Sequence, residues 1–152
     1  MIASTSQATM DQCRERLADT PDVEFRTGSV PETSSNCDAA VMWWPLAHEQ
    51  HGGTPQPGVA QVLLNTLDPD EPEIILATPP GPGGTTGVGP SDVDIEEYTF
   101  HTLDACIREY VQYFPESCEQ AVILIHLEAA GLNRRSMAAP LRGLERFLRS
   151  RK

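Results

Sequence analysis

Several absences narrow the reading of this 152-residue chain. It has no C-x-x-C pair: Cys13, Cys37, Cys106 and Cys118 are separated by 24, 69 and 12 positions. Neither a zinc ribbon nor a redox motif can be built from that spacing. No apolar run approaches the ~18 residues that would span a bilayer. Met1 to Met10 has neither a basic cluster nor an apolar core, so it does not read as a secretion signal. The cysteines therefore read as free thiols, mostly small buried apolar groups, in a reducing cytoplasmic compartment. Basic residues are scarce, with 11 Lys and Arg against 22 Asp and Glu, a formal charge of −11. That balance argues against broad nucleic-acid or anionic-membrane binding. Internal repeats are absent as well.

What is present suits one folded domain. The length falls near the usual domain size and needs no disulfide or metal to complete a core. Gly and Pro total 24 residues, so long ordered loops are expected. Residues 7–19 read as a first helix, with Met10, Cys13 and Leu17 on one face and Pro21 stopping it. Val23 to Thr27 is a short strand candidate. Cys37 to Trp44 is almost continuously apolar, as a central strand covered on both faces would be. Pro45 ends it, and 45–51 suit one or two helical turns. Val59 to Asn65 and Glu73 to Thr78 read as strands joined by a turn. Residues 79–91 hold nine Gly or Pro and read as a loop. A long helix follows to about Tyr113, capped by Ser91 or Asp92, with Phe100, Leu103, Ile107, Tyr110, Val111 and Phe114 inward. Ala121 to Leu127 is the strongest strand. Ser136 suits the cap of a last helix with Met137, Leu141, Leu144 and Leu148 inward. The late alternation of strands and helices favours a layered α/β fold. Short links in the middle imply that at least one strand runs antiparallel.

Chemistry-bearing residues are few. The small-residue stretch Ala129 to Asn133 lies between a strand and a helix, where main-chain amides suit a phosphate. Trp43-Trp44 is the only tryptophan pair. One of the two rings would stack on a base or ribose, unless both pack in the core. His48-Glu49-Gln50-His51 offers two histidines at i, i+3. A metal with Cys37, His101 or His126 as third ligand is one reading, and plain surface histidines the other. Glu49 or His51 as a general base beside a ribose is a third reading. His126 and Glu128 stand either at a cleft mouth or as a buried histidine and its neighbour. Asp92, Asp94, Glu96 and Glu97 suit the start of a helix. Residues 134–152 hold seven of the eleven basic side chains and one acid, Glu145, which makes the tail +6 against −17 elsewhere. That tail reads as an anion-facing patch or as a complement to the acidic body.

Three stretches resemble the macro domain, the fold that binds ADP-ribose. Val23 to Val41 is similar to the family's opening strand and Gly-Asp-Ile link. Pro57 to Pro80 is similar to its middle hairpin, and Ala121 to Phe147 to its last strand, phosphate loop and closing helix. The resemblance covers roughly residues 23–149. It implies a three-layer α/β/α domain with a mixed central sheet. It also implies a ligand site at Gly28, Ser29, Val30, Trp43, Trp44, Gly52, Gly53, Ala130, Gly131, Leu132 and Asn133. Ser29 stands where the family has the acid that holds the adenine amine. Met42-Trp43-Trp44-Pro45 stands where it has Asn-Ala-Ala-Asn, so both asparagines are replaced. About twenty residues before the hairpin are also missing, with Gly52-Gly53 as the remnant of a glycine-rich loop. The resemblance thus implies binding of ADP-ribose or a related adenine diphosphate, free or on an ADP-ribosylated protein, with no resident cofactor or metal. The alternatives are a hydrolase of ADP-ribosyl or O-acyl-ADP-ribose linkages with substituted catalytic groups, and an interaction protein without ligand.

Overall fold

The computed structural model describes residues 1–20, 23–34, 37–56, 58–63, 72–78, 92–116, 121–132 and 137–150, with backbone only at 92 and 93. The loop 79–91, the caps Ser91 and Ser136, Pro21, Asn133 and Cys118 lie outside these residues, as do Arg134, Arg135, Arg151 and Lys152.

The described elements form an α/β fold with a mixed six-stranded sheet and five helices. In chain order they are β1 (Ile2–Ser4), α1 (Gln7–Arg16), β2 (Phe25–Thr27), α2 (Val30–Thr33), β3 (Ala39–Trp43), α3 (Trp44–His51), β4 (Gln61–Leu63), β5 (Glu73–Ala77), α4 (Asp92–Tyr113), β6 (Ile123–His126) and α5 (Ala138–Ser150). The sheet order is β2-β1-β6-β3-β5-β4. Every neighbouring pair is parallel except β4 and β5, the expected antiparallel hairpin.

Two elements were not apparent from the sequence. β1 is three residues long, too short to show a strand period. It is nonetheless central, with Ile2 paired to Phe25 on one side and Ile125 on the other. α2 fills what read as a plain link. Its cap Ser29 forms a full capping box with Glu32, the reciprocal arrangement that satisfies two helix-start amides. The other differences are at ends: α1 stops at Arg16 with Leu17 as its C-cap, and β3 stops at Trp43.

Side-chain alternation divides the core between the two sheet faces. One face carries Ile2, Val41, Ile75 and Ile125, covered by Met10 and Cys13 of α1, Leu103, Cys106 and Tyr110 of α4, and Leu141, Leu144 and Phe147 of α5. The other carries Ala3, Ala40, Met42, Ile74, Leu76 and Leu124, covered by Val30 of α2 and Leu46 and Ala47 of α3. α4 and α5 approach closely at Gly143, where an added Cβ would fall 2.5 Å from the Glu96 carbonyl oxygen.

The basic end of the chain is largely neutralised within the described residues. Arg142 pairs with Glu96, Arg146 with Glu97, and Arg149 with Glu145, which also binds Arg16. Arg146 further lies over the Phe100 ring. Two of these arginines complement acids of α4 and the third an acid of α5 itself, so the three do not form a free anion-facing patch. The described cysteines Cys13, Cys37 and Cys106 are free thiols. Among the described residues no helix is long and apolar enough to cross a membrane.

Candidate functional site at the carboxyl edge of the sheet

Five parallel strands end on one edge, so Ser4, Thr27, Trp43, Ala77 and His126 gather there. The ends of these five strands therefore share one edge of the sheet. Open α/β sheets hold ligands at such an edge, between neighbouring strands whose following helices lie on opposite faces. β6 and β3 are one such pair, since α5 covers one face and α3 the other. β1 and β2, followed by α1 and α2, are another.

At the β6–β3 crevice the Trp43 amide donates to the Ala129 carbonyl at 2.7 Å. Gly131 sits against the indole, with φ +74°, and a Cβ there would fall 2.7 Å from Trp43 Cγ. Only glycine accepts both that backbone angle and that proximity without strain. The remainder of the ring reaches solvent, and Trp43 is 40% exposed. Trp44 is 37% exposed. It is the first residue of α3 rather than the last of β3, so the pair does not alternate across a strand as expected. The helix turns the chain at that point because Pro45 suits a first turn, where its missing N–H costs nothing. Trp43 occupies the N-cap without a side-chain hydrogen bond to the helix. Beside it, at the end of β5, the Thr78 hydroxyl is buried, with the residue 8% exposed, and finds no hydrogen-bond partner among the described residues.

The turn after β6 departs from the sequence expectation. Its amides do not face outward. Ala129 N–H points to His126 Nδ1 at 3.3 Å, and Ala130 N–H to the His126 carbonyl at 2.8 Å. Gly131 N–H donates to the Glu128 carbonyl at 3.2 Å and Leu132 N–H to the Leu127 carbonyl at 2.9 Å. The turn is held by its own donors, so these four amides do not form the expected phosphate cradle. Ala130 and Leu132 are buried in the core.

Gly28, Ser29 and Val30 are likewise engaged within the fold. Gly28 N–H donates to the Ser4 carbonyl, and its own carbonyl accepts from His126 Nε2 at 2.8 Å. The Ser29 hydroxyl donates to Glu32 at 2.8 Å within the capping box. Val30 packs on the sheet. A Cβ at Gly53 would meet Leu76, Leu63 and Gln61 at 2.9–3.1 Å, and one at Gly52 would meet nothing within 4 Å. The Gly52-Gly53 pair thus follows α3 over the β4–β5 side, while Gly131 serves Trp43.

The histidines are dispersed. His48 Nδ1 bonds the Gly53 carbonyl at 2.8 Å, closing the end of α3. His101 pairs with Glu97 on α4. Glu49 and His51 are exposed at the end of α3. Among the described residues no three His, Cys, Asp or Glu side chains come together as a metal site would require.

A polar cluster that sequence reading separated closes the other crevice. Glu128 Oε1 accepts from the Ser4 hydroxyl, from Thr5 N–H at 3.1 Å and from the Thr5 hydroxyl at 2.9 Å. Burial pushes the Glu128 carboxyl up, but the hydrogen bonds from Ser4 and Thr5 outweigh it and hold the pKa below the usual carboxylate value. Glu128 Oε2 is buried without a hydrogen-bond partner among the described residues, 3.6 Å from His126 Nδ1. Neither Ser4 nor Thr5 gave a sequence signal, because β1 itself was hidden. No family model, curated protein or solved structure matches the chain.

Proposed function

We propose that this chain is a divergent macro-domain-like module that binds ADP-ribose or a related adenine diphosphate at the carboxyl edge of its sheet. The carrying observation is the half-exposed Trp43-Trp44 pair, seated where the helices after β6 and β3 part to opposite faces. Gly131 backs the Trp43 indole, which keeps the ring in one place while much of it meets solvent. A fixed, exposed indole favours an aromatic ring or a sugar face.

The diphosphate falls to the start of α3 and not to the turn after β6, whose amides are already engaged. The helix start carries partial positive charge, and its N-cap Trp43 contributes no side-chain bond to neutralise it. The Thr78 hydroxyl at the end of β5, without a partner among the described residues, adds a polar group able to bond a ligand oxygen. Binding without turnover is favoured over hydrolysis, because Glu49 and His51 are exposed at the far end of α3 from Trp43.

Titration calorimetry with ADP-ribose, ADP, AMP and adenosine tests this reading. Saturable heat for the diphosphates, reduced at least tenfold in affinity by Trp43→Ala, supports it. Absence of heat at millimolar ADP-ribose leaves the interaction-protein reading in its place.

A further inference from the structure

Among the described residues three buried side-chain oxygens find no hydrogen-bond partner: Thr20 Oγ1, Thr78 Oγ1 and Glu128 Oε2. They are not equivalent. Thr20 is only partly buried and lies beyond the C-cap of α1. Glu128 already accepts three hydrogen bonds through its other oxygen. Thr78 has one side-chain polar group, and the residue is more than nine-tenths buried, at 8% exposure. A hydroxyl shut away from water without a partner lowers the stability of a fold, and a valine of the same shape escapes that cost.

The surroundings of Thr78 show what the hydroxyl can serve. Trp43 of β3 and Ala77 of β5 are register partners, so Thr78 lies beside Trp44, the first residue of α3. Leu76 and Thr78, two apart, share a sheet face, and it is the face that Leu46 and Ala47 of α3 cover. The Thr78 side chain therefore lies under the first turn of α3. Its carbonyl accepts from Gly58 N–H at 3.2 Å, which fixes the backbone there. The helix start above is not neutralised from within. Its first turn holds no acidic residue, and its N-cap makes no side-chain hydrogen bond. Pro45 removes one of the amides such a start offers, and the Thr78 hydroxyl is a donor in its place.

We infer that Thr78 and the start of α3 form a diphosphate pocket that recognises the anion without its nucleoside, the Thr78 hydroxyl donating to a non-bridging oxygen. The ligand class is the diphosphate group itself, free as pyrophosphate or carried in a nucleotide. A hydrogen bond to a charged oxygen is stronger than one between neutral groups, so the bound anion offsets the cost of the buried hydroxyl. Thr78 is thus a specificity-determining residue that lowers the stability of the empty protein and raises its affinity for the anion. The inference rests on the proposed placement of the diphosphate at α3, and adds the side chain that reads it.

The test compares the parent with Thr78→Val and Thr78→Ser, by thermal unfolding without ligand and by calorimetry with inorganic pyrophosphate and with ADP-ribose. Thr78→Val is expected to unfold about 2–4 °C above the parent, because it removes the buried donor. It is also expected to bind both ligands about tenfold more weakly or worse. Thr78→Ser restores the hydroxyl and is expected to bind both within about threefold of the parent. A Thr78→Val midpoint at or below that of the parent overturns the inference, since the hydroxyl is then satisfied in the empty protein. Unchanged pyrophosphate affinity in Thr78→Val overturns it too, as does an equal loss in Thr78→Ser. A parent that binds ADP-ribose but gives no heat with millimolar pyrophosphate overturns the pocket and leaves the nucleotide reading standing. A parent that binds neither overturns both.

Discussion

Gly131 and Trp43 meet so closely that a methyl group on Gly131 would fall 2.7 Å from the indole Cγ. The contact joins the turn after β6 to the end of β3, which are neighbours in the sheet but far apart in sequence. Gly131→Ala therefore has two costs, a disfavoured positive φ and displacement of the ring. It is expected to destabilise the fold by about 1–3 kcal/mol and weaken ADP-ribose binding at least tenfold. Gly131→Glu, with a carboxylate beside the same ring, is expected to abolish binding. Urea titration and calorimetry on the two variants check both statements, and unchanged affinity in a folded Gly131→Glu protein contradicts the placement of the site.

A second glycine gives a contrasting outcome. Gly143 lies where α5 meets α4, and a Cβ there would fall 2.5 Å from the Glu96 carbonyl oxygen and 2.7 Å from Thr99 Cβ. Gly143→Ala forces the helices apart and is expected to lower stability by about 1–3 kcal/mol, despite the better helix propensity of Ala. Ligand affinity in the folded fraction is expected to be unchanged, because the residues at this contact, Glu96 and Thr99, are not among those proposed to hold the ligand. Equal or greater stability in thermal unfolding contradicts the close approach.

Acid weakens the fold through Glu128. Its folded-state pKa is depressed below the ordinary value, so the native state prefers the ionised form. The stability this contributes is present above the unfolded-state pKa, about 4.3, and is lost as pH falls through the lower folded-state pKa. Glu97, held low by the Arg146 hydrogen bond, acts in the same direction at the surface. Glu128→Gln is expected to flatten the loss of stability between about pH 5 and pH 3. Urea midpoints across that range check it, and an equally steep loss in the variant contradicts it.

The thiols sort by burial. Cys106 is fully buried, and desolvation pushes its pKa up to about 12. Burial, with a smaller contribution from the Glu128 charge, pushes Cys13 up to about 11. Thiolate is the reactive form, so both resist alkylation at pH 8 until the chain unfolds. Mass spectrometry after iodoacetamide treatment, with and without urea, is expected to find both unmodified in the folded protein. Rapid native-state labelling of Cys106 contradicts its burial.

Long elements were legible in the sequence because their apolar spacing repeats. Of the stripe expected for α4, Leu103 and Tyr110 are buried and Phe100 and Ile107 pack against the core, while Val111 is not among the core residues and Phe114 packs there from just past the helix end; β5 and β6 are β-branched apolar runs that no helix pattern fits. Short elements were not. β1 offers only Ile2 and Ala3 as apolar residues, and α2 was hidden by Pro31, which reads equally well as a loop residue and as a helix start. The hidden β1 had a direct cost for the site, since Ser4 and Thr5 bind Glu128 from its end. The exposed tryptophans were visible because the dipeptide is unusual. The inward turn of the Ala129 to Leu132 amides was not visible, because small residues serve equally in an anion cradle and in a tight self-bonded turn. Which of the two forms is decided here by the His126 ring and by the carbonyls of His126, Leu127 and Glu128, which take up the amides of the turn.

The most direct measurement is two-dimensional ¹⁵N–¹H NMR of the two indole N–H groups during ADP-ribose addition, with Trp43→Phe and Trp44→Phe assigning the signals. The account predicts saturable displacement of the Trp43 signal, with Trp44 responding at the same ligand concentrations. Two signals that stay fixed to millimolar ligand, in a protein whose remaining spectrum shows it folded, contradict the account.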